Sequence, residues 1–126
     1  MGDIHSIFAK SDDTGGCDFD FQILDIDMLR LEDAFAKVDS TGMLKDTTSF
    51  HHVAATRSGN TVTFYIDSIV TGTGTLNPPF TNNNFPLHIG SNPAFKRHFN
   101  GLIDEVFVYN RALSANEIKR LYELGR

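Results

Sequence analysis

Two adjacent carboxylates, Asp104 and Glu105, lie in the apolar stretch GLIDEVFVYN near the C-terminus. Carboxylates that hydrolyse a glycosidic bond must flank that bond, roughly 5–10 Å apart. Successive residues of a strand point to opposite faces of a sheet. Because the surrounding pattern favours a strand, these two groups cannot act on one bond, and we predict no catalytic role for the pair.

The stretch LDIDM offers a second carboxylate pair, because Asp25 and Asp27 would share one face of a strand. A third acid at suitable spacing is missing, since Glu32 lies too far along the chain. No serine or cysteine has the context of a nucleophile elbow. We therefore predict no catalytic residue and a protein that is not an enzyme.

The histidines and the cysteine offer little metal chemistry. His51 and His52 would diverge in a strand, unlike the pair four residues apart on a helix that binds zinc. The single Cys17 excludes an intrachain disulfide and a cysteine-based zinc site. We expect structural roles for these residues.

Composition narrows the classes of partner. The net charge is −5, and residues 1–50 hold eleven acidic and four basic residues. Such an acidic half argues against nucleic acid, which is bound by clustered Lys and Arg. No apolar run reaches the ~20 residues of a membrane span, and no signal peptide is recognisable in the chain.

Period-two alternation predicts a chain built mostly from strands. The clearest unit is FHHVAATRSGNTVTFYID, in which RSGN supplies the turn of a β-hairpin. We read VTGTGTLNPPFTNNNF as a loop with at most a short edge strand at its start. Further strands are predicted in HSIFAK, CDFDFQILDIDMLRLE, PLHIGSN and GLIDEVFVYN.

One short helix is predicted at residues 113–124. Ser114 and Glu117 form a capping box, and Gly125 is the expected stop. Ile118, Leu121 and Tyr122 form the apolar stripe that would face the sheets. Strands with polar turns and one terminal helix indicate an antiparallel sandwich.

The loops between the later strands contain side chains suited to sugars. Aromatic rings can stack on a sugar, and amides or a guanidinium can bond its hydroxyls. The absence of Trp weakens this interpretation, and the alternative is ordinary solvated loop with Phe rings packed over the end of the sandwich. The candidate ligand-binding residues are Phe80, Asn82, Asn83, Asn84, Phe95, Arg97, His98 and Asn100.

Three segments together resemble a known family. FHHVAATRSGNTVTFYID, PLHIGSN and FNGLIDEVFVYNRALSANEIKRLY are similar to the laminin-G-like jelly-roll domains of the concanavalin A-like lectin/glucanase fold group. The resemblance implies an all-β, antiparallel jelly-roll sandwich in which residues 1–126 form one domain. The family has two further strands before the one similar to HSIFAK, so we expect a domain shortened at its N-terminus, a fragment, or a sandwich completed by another chain.

The resemblance implies a non-catalytic module that recognises carbohydrate or glycoprotein at the sandwich rim, outside the cell or on its surface. Similar domains often hold a structural calcium with an Asp at this position as a ligand, so Asp104 is a candidate calcium ligand. The alternative, which we favour, is a purely hydrogen-bonded role for that carboxylate. Phe107 replaces a usually polar residue and, if Val106 and Val108 are in the core, needs cover from the terminal helix or from a partner. The alternative function is therefore self-association, as a homodimer that completes the sheet. A divergent glucanase-like enzyme ranks third, because aspartates stand in LDIDM where those enzymes have glutamates.

Overall fold

The computed structural model describes residues 3–33, 35–77 and 82–125. In these ranges the chain forms ten strands, one short 3₁₀ helix and one α-helix. The strands are β1 Ile4–Ser11, β2 Cys17–Leu24, β3 Met28–Glu32, β4 Lys37–Met43, β5 Val53–Ser58, β6 Thr61–Ile66, β7 Ile69–Thr75, β8 Leu87–Ile89, β9 Ser91–Asn92 and β10 Arg97–His98. The 3₁₀ helix is Pro93–Phe95 and the α-helix, α1, is Ala115–Leu124.

Antiparallel pairing assembles two main sheets. One has five strands in the order β4-β3-β2-β1-β8, and the other has three in the order β5-β6-β7. A two-stranded sheet of β9 and β10 is separate. The core lies between the main sheets and confirms the predicted β-sandwich; its buried members are Leu29, Leu31, Val38, Val62, Phe64, Ile66 and Leu76.

The predicted hairpin of β5 and β6 is confirmed. Val53 pairs with Ile66 and Ser58 with Thr61, and Gly59 takes the positive φ of 60° that its turn requires. Phe64 is completely buried and stacks on Phe21 of the other sheet. The apolar side chain of Phe64 therefore packs across the core and contacts the five-stranded sheet.

Strand β7 lies at the edge of the three-stranded sheet, where a short edge strand was expected at the start of a loop, but it is longer than expected. The sequence does not indicate this length because glycine has little β-propensity. Here the glycines allow close packing: a Cβ on Gly74 would lie 2.5 Å from Cγ1 of Val38 in β4. The strand exists because β7 must pass directly against the other sheet.

The corner between β2 and β3 lies at residues 25–27. Asp27 has a φ of 61° and is part of the turn. Asp25 and Asp27 therefore do not share the face of one strand, and the suggested carboxylate pair of LDIDM is not formed.

Helix α1 confirms the capping box. The Ser114 hydroxyl accepts from the Glu117 N–H, and the Glu117 carboxylate accepts from the Ser114 N–H. The helix starts two residues later than predicted because Ser114 is its N-cap. Its buried residue Ile118 packs with Tyr65 and Leu113, which fixes the helix to the three-stranded sheet.

The prediction of a strand in GLIDEVFVYN was wrong. Residues 102–109 belong to no sheet, and Glu105 has a φ of 49°. Among the described residues, no backbone–backbone hydrogen bond reaches residues 101–113. A strand requires a ladder partner, and propensity alone did not create one.

Candidate functional site

The outer face of the five-stranded sheet, which points away from the core, is polar. Register places Asp20 opposite Glu32 and Gln22 opposite Arg30. Arg30 in turn faces Asp39, and its guanidinium donates to both oxygens of that carboxylate. Alternation along β2 therefore sends Phe21 to the core and the neighbouring acid and amide to this face.

Asp20 is the centre of this face and is completely buried. Its carboxylate accepts hydrogen bonds from Ser6 at 2.5 Å, Gln22 at 2.8 Å and Asn92 at 2.7 Å. Burial raises the pKa of the Asp20 carboxyl, while these donors and the Arg97 charge act in the opposite direction. The donors make burial of this polar group tolerable.

Residues 91–98, which we call the cover segment, lie over this face. Arg97 forms ion pairs with Asp20 and Glu32, and its guanidinium lies 4.8 Å from the centre of the Phe95 ring. Asn92 is fully buried and caps the 3₁₀ helix by accepting from the Ala94 N–H. The segment is thus held by charge and hydrogen bonds.

A depression of about 510 Å³ opens beside the cover segment. Three of the residues predicted to bind ligand, Arg97, His98 and Asn100, meet there. Sequence reasoning missed His5 and Lys96; the basic run KRH was a signal for Lys96, whereas His5 comes from β1 through tertiary packing alone. The lining consists of Asp3, Ile4, His5, Lys96, Arg97, His98 and Asn100.

The asparagine run forms a separate structure. Asp18 is fully buried, forms an ion pair with Lys10 at 2.8 Å and accepts from the Asn83 backbone and side chain at 3.0 and 2.7 Å. Lys10 also donates to Asn82 at 3.3 Å. Asn84 is exposed. Asn82 and Asn83 therefore anchor their own loop to β1 and β2.

The remaining predicted residues are dispersed. Phe80 lies outside the described residues. Asp104 is exposed, and one of its oxygens accepts from the Glu105 N–H at 2.9 Å. Phe107 is 62% exposed and stacks on Tyr109 with ring centres 6.5 Å apart. Cover by helix α1, one of the two expectations for Phe107, is not observed.

His51 and His52 precede β5 rather than lying in a strand, and their side chains have different surroundings. His51 Nδ1 is 2.7 Å from Asp67, whose other oxygen accepts from the His52 backbone N–H at 2.9 Å. The hydrogen bond to Asp67 raises the pKa of His51, whereas burial lowers the pKa of His52. The pair ties the start of β5 to the β6–β7 turn.

Among the residues that the structure describes, no three His, Cys, Asp or Glu side chains are grouped so that they could hold a metal ion. No helix in the same ranges is long and apolar enough to cross a membrane.

The two main sheets and the core between them define an antiparallel β-sandwich. A laminin G family model, described as the concanavalin A-like lectin/glucanases superfamily, matches residues 3–119. The chain belongs to this family, and that membership fits a non-catalytic binding module and an extracellular or cell-surface location.

Comparison with solved structures adds a structural likeness. No curated protein matched the chain. A solved structure of an S-layer domain-containing protein (residues 221–444) from Clostridium thermocellum is similar, with a TM-score of 0.46 and 22% sequence identity. The match covers 82% of this chain and 55% of that one, so this chain spans little more than half of its length.

Proposed function

We propose that this domain is a non-catalytic binding module that recognises carbohydrate or glycoprotein outside the cell. The observation that carries the proposal is the depression beside the cover segment, where Arg97, His98 and Asn100 meet. Guanidinium, imidazole and amide groups can bond several hydroxyls of one sugar, and the nearby Phe95 ring is 38% exposed. Family membership supports the same class of function.

A glycan array followed by calorimetry tests this site. Replacing His98 or Asn100 by Ala should weaken binding of any glycan that is found by at least about tenfold, or ~1.4 kcal/mol. Both residues are exposed, so the fold should be unaffected. Asn84→Ala, an exposed residue of the other loop, is the matched control. Equal affinity of the three variants, or no binding to any glycan, would contradict the proposal.

Calcium at Asp104 stays a prediction. Calcium takes six to eight oxygen ligands, and among the described residues no three His, Cys, Asp or Glu side chains are grouped so that they could hold a metal ion. Thermal melting with and without a chelator tests it, and an unchanged midpoint would remove calcium from the account.

A second candidate function is self-association. The observation that favours it is the exposed aromatic pair Phe107 and Tyr109, whose rings stack on each other on either side of the exposed Val108. Isolated apolar residues on a surface are ordinary, but a contiguous apolar segment marks an interaction site. The mode of pairing is developed below.

A further inference from the structure

Residues 102–109 form an exposed segment of strand-like sequence without a ladder partner. Leu102, Phe107 and Val108 are each at least 60% exposed. The rings of Phe107 and Tyr109 stack on each other, as side chains two residues apart do on one face of an extended chain. The backbone here accepts and donates no backbone hydrogen bond within the described ranges.

An exposed stretch of this kind is a template for another strand, and its own sequence restricts which strand fits. Two identical antiparallel strands can be related by a two-fold axis only if that axis is perpendicular to the sheet. Such an axis leaves each side chain on its own face, so residues opposite each other are an even number of positions apart. The axis must then lie midway between the two copies of one residue, which faces itself across the pair. We compare Phe107 and Val108 as that residue.

Centring the pair on Val108 matches the residues in kind except at one pair of positions, where Val106 faces Asn110 of the second copy. Phe107 faces Tyr109 of the second copy, which gives two aromatic cross-strand pairs on one face. Glu105 faces Arg111 of the second copy, which gives an ion pair at each end. On the other face, Val108 meets its own copy.

Centring on Phe107 gives a poorer match. Glu105 would then face Tyr109 of the second copy, and Ile103 would face Arg111, so neither charge would meet its opposite. Arg111 now pairs with Glu117 at 2.6 Å, and the two side chains are 58% and 35% exposed. Because that pair is at the surface, the guanidinium is accessible to a second carboxylate.

We propose that residues 105–111 pair with the same residues of a second copy, antiparallel and with the two-fold axis at Val108. This inference deepens the self-association proposed above and rests on it. Pairing satisfies backbone groups, covers Phe107 and Tyr109, and returns Glu105 from its φ of 49° to the extended region. So short a ladder buries little area, and interfaces below about 1,200 Å² are weak or transient.

Sedimentation equilibrium tests whether the chain associates. We expect a concentration-dependent dimer, with the dissociation constant raised at least about tenfold by Phe107→Lys, since a charge would be buried in the pair. Phe35→Lys is the matched control, because Phe35 is an exposed phenylalanine elsewhere on the surface. If the chain stays a monomer at protein concentrations up to ~1 mM, only an association with a still higher dissociation constant would go undetected. That result would overturn both the association and the pairing.

Cysteine cross-linking tests the register separately. Val108→Cys should form a disulfide-linked dimer on mild oxidation, because position 108 meets its own copy. Val106→Cys should cross-link at least tenfold more slowly, since its two copies would lie roughly 13 Å apart along the ladder, beyond disulfide reach. Cys17 is buried and burial raises the pKa of its thiol to about 12, so it will not compete.

The outcomes distinguish self-association itself from the register proposed for the paired strands. A dimer in which Phe107→Cys or Val106→Cys cross-links as fast as Val108→Cys would overturn the register while leaving self-association intact. Circular dichroism of each variant must match that of the unaltered chain, which excludes misfolding as the source of any difference.

Discussion

At the turn between β6 and β7, Asp67 and Ser68 have φ values of 50° and 70°. Two-residue hairpin turns of this type favour glycine, because a side chain in the left-handed region is strained. Ser68→Gly should therefore stabilise the fold by about 1 kcal/mol, measured by urea unfolding.

Asp67 serves as the contrasting residue in the same turn. Its carboxylate bonds His51 and the His52 backbone N–H, so Asp67→Gly should cost about 1–2 kcal/mol although it relieves the same strain. If both glycine variants gained stability, the hydrogen bonds of Asp67 would make no net contribution to the free energy of unfolding.

The His51–Asp67 contact also predicts a pH dependence. Because the hydrogen bond to Asp67 raises the pKa of His51 above 6.5, its stabilisation is complete below about pH 6.5. The stabilisation is lost as the pH rises through the folded-state pKa. The difference in unfolding free energy between the unaltered chain and His51→Gln should therefore shrink from pH 6 to pH 8, values that bracket the ordinary histidine pKa of about 6.5.

NMR titration checks this assignment directly. His51 should titrate above 6.5 and His52 below it, because burial lowers the pKa of His52. Asp67→Asn is the control and should lower the pKa of His51. The reverse order of the two histidines would contradict the contact.

Among the elements, β7 depends on its glycines. A Cβ at Gly74 would come within 2.5 Å of Cγ1 of the buried Val38, so Gly74→Ala should destabilise the fold by about 1–3 kcal/mol through overpacking. Thr73→Ala, at an exposed position of the same strand, should change stability by no more than about 0.5 kcal/mol. Thermal or urea unfolding measures both.

A double-mutant cycle tests the cause. If the clash is with Val38, then Gly74→Ala combined with Val38→Ala should cost less than the sum of the two single changes. Strict additivity would show that the glycine is needed for another reason.

Elements differ in how far local sequence defines them. The β5–β6 hairpin and the cap of helix α1 were predictable because their turn, alternation and capping residues are neighbours in sequence. Strand β7 and residues 102–109 were not. Glycine-rich β7 is created by packing on β4, whereas Val106 and Phe107 have strand propensity but no partner in the described chain.

At the scale of the whole molecule, Arg97 joins the cover segment to the outer face. Removing one member of a buried ion pair leaves charge uncompensated, so Arg97→Leu should cost about 3 kcal/mol or more. Its partners Asp20 and Glu32 are 0% and 12% exposed at their side chains. Urea unfolding measures the loss, and amide hydrogen exchange should accelerate in residues 91–98.

Arg120→Leu provides the control, since Arg120 is exposed on helix α1. Surface substitutions of that kind usually lie within about 0.5 kcal/mol of neutral. Similar costs for the two variants would mean that the cover segment is not held by Arg97.

The kinds of side chain at the candidate site were predictable from the sequence, but the full set of residues that line it was not. Sequence reasoning chose Arg97, His98 and Asn100 by chemistry, and these residues line one depression. The same reasoning grouped them with Asn82 and Asn83, which instead bind Lys10 and Asp18. Side-chain type does not reveal whether a polar group is already satisfied within the fold.

The sequence by itself determined the β-sandwich class, the hairpin, the terminal helix and the family. The first three follow from short-range patterns: apolar alternation, turn residues and the capping box of Ser114 and Glu117. The family follows from the resemblance of three segments to known domains. Only the tertiary structure decided that Asp20 is buried, that His5 joins the depression and that residues 102–109 lack a strand partner. These outcomes depend on hydrogen bonds and packing between residues far apart in the chain, and no local pattern encodes which distant group will be the partner.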